Sequence, residues 1–193
     1  LQLTSVRLWD TGTRWDEVEP ARGQFRWDAL DAAVTNAQAA GATDILYVLG
    51  STPQWAAREP QMAGLYDPGT TSLPADPEYY LDYVRALIKR YKGRITGYQI
   101  WNEANTRSFY EGDWVALAKL TKRAHETIKV LDPAAQVVAA SSTVIPGKLF
   151  QTESFFVRYA RALHKLGDPV DAMAVHLYPV DTSKGPDTRA ASI

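Results

Sequence analysis

The 193-residue chain has no cysteine. Disulfides, thiolate chemistry and cysteine-based metal sites are therefore excluded. An excess of one charge is also missing, with 21 Lys and Arg against 22 Asp and Glu. That balance gives no reason to expect nucleic acid or an anionic lipid surface as a partner. No apolar run approaches the ~18 residues of a membrane span. The opening Leu1-Gln2-Leu3-Thr4 has neither a basic n-region nor a long apolar h-region, so no signal peptide is visible. A leader removed from a secreted or cell-surface protein would leave such a start. No glycine-rich phosphate loop follows the first strand-like segment, which argues against a dinucleotide-binding sheet. No lysine sits at a strand end, which argues against an aldolase-type barrel.

What remains is a globular composition, 46% hydrophobic, with six tryptophans that offer flat surfaces to sugar rings. Apolar segments alternate with helical periodicity along the chain. Ser5–Asp10 reads as a short buried strand, and residues 11–28 continue it as a loop. A helix is expected from Asp28, taken as N-cap, to Ala40, with Gly41 as its stop. Asp44–Gly50 is a continuous apolar strand of the kind buried on both faces. Residues 58–75 carry three prolines and no period, so they read as a long loop. Asp76-Pro77-Glu78 starts a helix with the stripe Tyr80, Val84, Leu87 and Tyr91, closed by Gly93. A strand then leads into Trp101.

Asp113 caps the next helix, whose stripe is Leu117, Leu120, Ala124, Ile128 and Leu131. The strand Gln136–Ser141 follows. After a Pro146-Gly147 turn comes a helix over Glu153–Leu166, with Phe155, Tyr159, Ala162 and Leu166 inward. The strand Asp171–His176 is last, and Val180–Ile193 reads as loop. His125 and His164 are ordinary helical histidines.

The five strand starts, near 6, 44, 95, 136 and 171, are spaced for right-handed βαβ crossovers. Apolar rather than alternating strands predict a parallel sheet with outer helices. Candidate site residues on several strand ends favour an α/β barrel over a doubly wound sheet. A complete (β/α)8 TIM barrel needs about 250 residues. Residues 1–193 therefore read as a single partial TIM-barrel catalytic domain of about five βα units. Its open edges would make it poorly soluble alone.

The chemistry centres on Gly97-Tyr98-Gln99-Ile100-Trp101-Asn102-Glu103-Ala104-Asn105. A carboxyl beside an amide, at the carboxyl end of a buried strand, is where a parallel α/β protein places its reactive groups. Glu103 is expected among apolar side chains with little water, a setting that favours a held proton and its delivery to a leaving group. A structural Glu paired with an Arg is the alternative. Arg7, within a strand, needs a partner, because a lone buried guanidinium is costly. Trp55, just past a strand end, serves either as a platform for a sugar face or as a core cap. Trp15 is placed facing a sugar and Trp27 in the core. His176 stands out as a histidine at the end of an apolar strand.

Trp101-Asn102-Glu103 after a β-rich run resembles the acid/base strand of clan A glycoside hydrolases, the retaining (β/α)8 glycosidases. The continuation Ala104-Asn105, Phe109-Tyr110 and Leu131-Asp132-Pro133 is most similar to family 39 and its bacterial relatives. The resemblance implies that Glu103 is the general acid/base and that Asn102 contacts the sugar 2-hydroxyl. It also matches Arg7 to the clan arginine that bonds the nucleophile, and the Trp55 region to the clan Pro-x-Trp. His176 and Tyr178 match the sixth-strand pair that lines the sugar subsite and orients the nucleophile. The implied partner is an oligo- or polysaccharide, with no metal and no cofactor.

By the same pattern the chain covers the second to sixth barrel strands. The nucleophilic Glu of the seventh is not among these residues, and no Glu follows Glu153. Asp181 and Asp187 are the only acids after the His-x-Tyr, and neither lies on a strand-like segment. The chain alone is thus expected to turn over little or nothing. A carbohydrate-binding pseudoenzyme is the alternative function.

Overall fold

The computed structural model describes residues 3–144 and 154–178. The Pro146-Gly147 turn, Glu153, and the tail from Val180 with Asp181 and Asp187 lie outside the described residues.

Four parallel strands lie side by side in chain order: β1 (Ser5–Leu8), β2 (Asp44–Val48), β3 (Gly97–Gln99) and β4 (Gln136–Val138). β5 (Ser142–Val144) carries on from β4 beyond residues 139–141 and pairs in parallel with β6 (Val175–Leu177). The bond from Ala139 N to Ala172 O and the bridge between Val138 and Ala172 link the two ladders. β4 and β5 therefore act as one interrupted strand, and the sheet has five parallel positions, each next to its predecessor.

Register shows which face the helices cover. Leu8, Tyr47, Tyr98 and Val137 are level across the sheet. All four are buried in one core with the apolar faces of the helices. Successive strand residues point to opposite sides. Val48, Gln99 and Val138, one step on and level with each other, are buried on the other face, outside that core cluster. A doubly wound sheet would carry helices on both faces and reverse its strand order at a switch point. Sequential order with a single helical layer is instead the wall of a β/α barrel.

The helices follow local chemistry. α1 (Trp15–Val18) is a single turn, and α2 spans Asp28–Ala39. In α3 (Pro77–Tyr91) the Asp76 carboxylate accepts from Glu78 N, and Tyr80, Val84, Leu87 and Tyr91 are buried. In α4 (Trp114–Leu131) the Asp113 carboxylate accepts from Val115 N and Ala116 N, each at 2.7 Å. In α5 (Phe155–Lys165) the Ser154 hydroxyl accepts from Val157 N. Each fully buried Leu, Ile or Val on these stripes stabilises the layer by about 1.5–3 kcal/mol. Among the described residues no helix is long and apolar enough to cross a membrane.

Several details differ from expectation. The strands are shorter than their apolar runs. Residues 11–28 are not all loop: the Glu17 carboxylate accepts from Arg14 N at 3.0 Å and starts α1. Trp15, placed facing a sugar, is 0% exposed and stacks on Tyr83 at 5.2 Å. Its large apolar surface is better satisfied in the core. Asp28 is the first residue of α2, and Trp27 holds the cap position. Leu131 is 37% exposed, because the α4 stripe closes at Ile128. In α5 Leu163 takes the buried position beside Tyr159, and Phe155, Ala162 and Leu166 are half-buried.

Candidate active site

β3 runs into the site through Ile100 and Trp101, both fully buried. Tyr80 of α3 donates to the Ile100 carbonyl at 2.9 Å, and Trp101 Nε1 donates to Phe109 O at 2.9 Å. These bonds fix the strand end in the core before the polar cluster begins.

Arg7 of β1 reaches across the sheet. Its Nε donates to Gln99 Oε1 at 3.0 Å and its Nη2 to Asn102 Oδ1 at 2.8 Å. Gln99 in turn donates to Trp101 O at 2.7 Å. Burial lowers the Arg7 pKa from its ordinary value, while the charges of Glu103 and Tyr178 pull it back up. The partner that Arg7 needs is thus a pair of neutral amides, with Glu103 acting through space.

Glu103 is 9% exposed and has a backbone φ of +43°. A non-glycine residue in that left-handed region costs about 1 kcal/mol or more. Its N–H donates to Ser141 Oγ at 2.9 Å, and Ala104 N donates to Ser141 O at 2.9 Å. Its carboxylate Oε1 lies 2.6 Å from His176 Nδ1 and accepts from the Tyr178 hydroxyl at 3.1 Å. His176 lies in β6 and Tyr178 just beyond it. The hydrogen bond and charge of Glu103 raise the Tyr178 phenol above its usual pKa, with Arg7 opposing.

Five of the six residues singled out in sequence thus form two touching groups, Arg7 with Asn102 and Glu103 with His176 and Tyr178. Trp55 is elsewhere. It sits in a 3-10 turn, Gln54–Ala56, edge-on to Trp15 at 6.2 Å. Its Nε1 donates to Glu19 O at 2.8 Å. It belongs to the aromatic layer around Trp15.

Two findings depart from expectation. The Glu103 carboxylate, expected among apolar side chains, receives a histidine of β6 and a phenol just beyond it, from 73 and 75 residues away. And the His-x-Tyr pair bonds the acid itself, the group expected to face a nucleophile across the cleft. Gln99 and Ser141 were not anticipated. Gln99 could have been noticed as a polar residue inside an apolar strand; Ser141 gave no such signal.

Chemically, the site offers one buried carboxyl, with an imidazole and a phenol on one of its oxygens, and a neighbouring amide. Among the described residues no group of three His, Asp or Glu side chains could hold a metal ion.

No protein-family model matches the chain. It is 26% identical over 179 residues to the β-galactosidase BbgII of Bifidobacterium bifidum, covering 80% of this chain and 25% of that protein. The structure is similar to a glucosidase from Croceicoccus marinus, with a TM-score of 0.73 and 17% identity over 98% of this chain and 41% of that one. It is also similar to a family 39 glycoside hydrolase from Bacteroides cellulosilyticus WH2, with a TM-score of 0.61 and 19% identity over 89% of this chain and 32% of that one. The fold is that of the (β/α)8 glycosidases, and the chain spans part of it, a quarter of the length of the curated relative.

Proposed function

We propose that the whole protein hydrolyses a glycosidic bond in an oligo- or polysaccharide by double displacement, with Glu103 as general acid/base. The observation that carries this reading is the buried Glu103 carboxylate, bonded to His176 and Tyr178 at the carboxyl end of β3 in a glycosidase fold. Residues 1–193 form part of a single catalytic domain in this reading.

In the first step Glu103 gives its proton to the glycosidic oxygen as the bond to the anomeric carbon breaks. A carboxylate from outside this chain attacks that carbon from the other side. In the second step Glu103 takes a proton from water, and that water displaces the carboxylate. Two carboxyl groups ~5–5.5 Å apart are needed for this course. The 193 residues alone therefore turn over little or nothing.

The partners of the site fit these roles. Arg7 holds the Asn102 oxygen, which turns the amide NH2 away from Arg7 as a donor for a sugar hydroxyl. His176 and Tyr178 hold one oxygen of Glu103 and so fix the direction of the other. Arg7 places positive charge near the cleft where negative charge changes hands. Trp55, bonded to the Glu19 carbonyl, takes no part in this scheme.

The test is Glu103→Gln in the whole protein, assayed on aryl glycosides with poor and good leaving groups. Loss of the acid should slow the poor leaving groups by about 10²–10⁴-fold and spare the first step with good ones. An unchanged rate on poor leaving groups rejects the assignment.

A further inference from the structure

Two residues past Glu103 the chain leaves the sheet, and a side chain takes over the pairing that the backbone gives up. Asn105 Oδ1 accepts from Thr143 N at 2.8 Å. Asn105 Nδ2 donates to Thr143 O at 3.0 Å and to Thr143 Oγ1 at 3.1 Å. This two-way exchange with one residue's N–H and C=O is what a neighbouring strand's peptide would supply. Among side chains of this size only an asparagine carries the donor and the acceptor on two separate atoms, spaced as in a peptide.

The clamp closes a ring around the carboxylate. Thr143 is level with His176 in the β5–β6 pairing. His176 Nδ1 lies 2.6 Å from Glu103 Oε1, and Tyr178 donates to the same oxygen. On the backbone side, Ser141 accepts from Glu103 N and Ala104 N. The path therefore runs from Glu103 through Asn105 to Thr143 on β5, across the ladder to His176 on β6, and back to the Glu103 carboxylate. Left-handed Glu103 has a backbone that would relax toward commoner angles if nothing on either side held it.

We propose that Asn105 is a positioning residue: its amide sets the register of the loop after β3 against β5, and so fixes where the Glu103 carboxylate meets His176 and Tyr178. The catalytic consequence rests on the reading of Glu103 as acid/base; the geometric consequence does not. Asn105 itself is exposed. Its bonds compete with water and add little to global stability, so a role in register is separable from a role in holding the fold.

The experiment uses the whole protein with Asn105→Ala, and Asn105→Asp as an isosteric variant that lacks both donors. Three quantities are read: turnover of a glycoside with a poor leaving group, the thermal midpoint, and the titration of Tyr178. The last comes from ultraviolet difference titration of each protein against its own Tyr178→Phe counterpart. Misplacing the carboxylate should cut turnover about 10- to 100-fold in both variants. In Asn105→Ala it should also bring the Tyr178 titration down toward the ordinary phenol range, as Glu103→Gln should, with the midpoint nearly unchanged.

Turnover and Tyr178 titration both at parent values would overturn the proposal. So would a fall in turnover that tracks a lowered midpoint while Tyr178 titrates as before, since that is a merely structural loss. A shifted Tyr178 titration with unchanged turnover supports the positioning role and refutes the acid/base reading instead. Should Asn105→Ala fail to fold, the Asn105→Asp arm decides on turnover and midpoint alone.

Discussion

Glu19 and Glu103 are both buried carboxylates, 2% and 9% exposed, yet their surroundings suit opposite tasks. Glu19 Oε2 accepts from Trp15 Nε1 and Oε1 from Gly23 N, both at 2.8 Å. Neither donor gives up its proton at any working pH, so the charge is walled in by fixed dipoles. Glu103 is bonded instead to an imidazole and a phenol, carried in from the far end of the chain. Tyr178 is 58% exposed, so that set opens to solvent. The backbones differ too: Glu19 has an ordinary φ of -128°, while Glu103 is left-handed. Burial alone therefore does not mark a reactive carboxylate. What separates the two carboxylates is the kind of partner and the backbone conformation.

Activity gives the largest expected contrast. Glu103→Gln should slow hydrolysis of poor leaving groups by about 10²–10⁴-fold, the span of general acid catalysis. Glu19→Gln should leave the same rate within about fivefold, the change that one kcal/mol at the transition state corresponds to. Equal losses in the two variants would dissolve the distinction. Stability should show the reverse order. Glu19→Ala strands the Trp15 N–H in the core and leaves the Gly23 N–H, on an exposed turn, to water, at a cost of about 2–3 kcal/mol. Glu103→Ala removes the bonds to His176 and to the exposed Tyr178, groups that water can reach in its place, and should cost less, about 1 kcal/mol. Urea unfolding of both variants checks the order.

The same contrast explains how much was legible in sequence. Caps are local: Asp76 and Asp113 bond amides two or three residues away, so α3 and α4 were placed from their first turns. The fold class was legible because apolar strands and amphipathic helices each repeat within short windows. Glu103 and Asn102 stood out because polarity breaks in at the end of an apolar strand. The chemistry around them was not legible. Contacts of Glu103 with His176 and of Arg7 with Asn102 join residues 73 and 95 apart, and register alone decides them. Trp15 shows the converse: a tryptophan in a polar loop read as a sugar surface, and the single turn α1 swung it into the core. Trp55, read as either a sugar platform or a core cap, is half-buried and packs against that core.

Backbone strain offers a finer version of the comparison. Glycine adopts positive φ freely, whereas alanine there keeps the clash of Cβ with the carbonyl. At position 103 the two substitutions remove the same carboxylate, so their difference isolates the backbone. Glu103→Gly should be more stable than Glu103→Ala by about 1 kcal/mol, with both inactive on poor leaving groups. At position 19, where φ is negative, the order should invert, because glycine only adds freedom to the unfolded chain. A Glu103→Gly less stable than Glu103→Ala would mean that the backbone there is not strained at all.

The smallest effect is the pH dependence contributed by Glu19. Burial raises its pKa above the ordinary carboxylate value, and the bonds from Trp15 and Gly23 only partly offset this. Folded chains then keep a proton that unfolded chains have lost. The stability tied to that proton is fully present below the unfolded carboxyl pKa of about 4.3. It is lost as pH rises through the raised folded value. Glutamine cannot titrate, so Glu19→Gln lacks this slope. Its amide NH2 meets an N–H donor, so the variant should start less stable than the parent near pH 4. That deficit should narrow toward neutral pH. Urea unfolding of parent and variant across this range reads the gap directly. A deficit that widens with pH would show that the two N–H donors outweigh burial, and that Glu19 is a carboxylate the fold prefers charged.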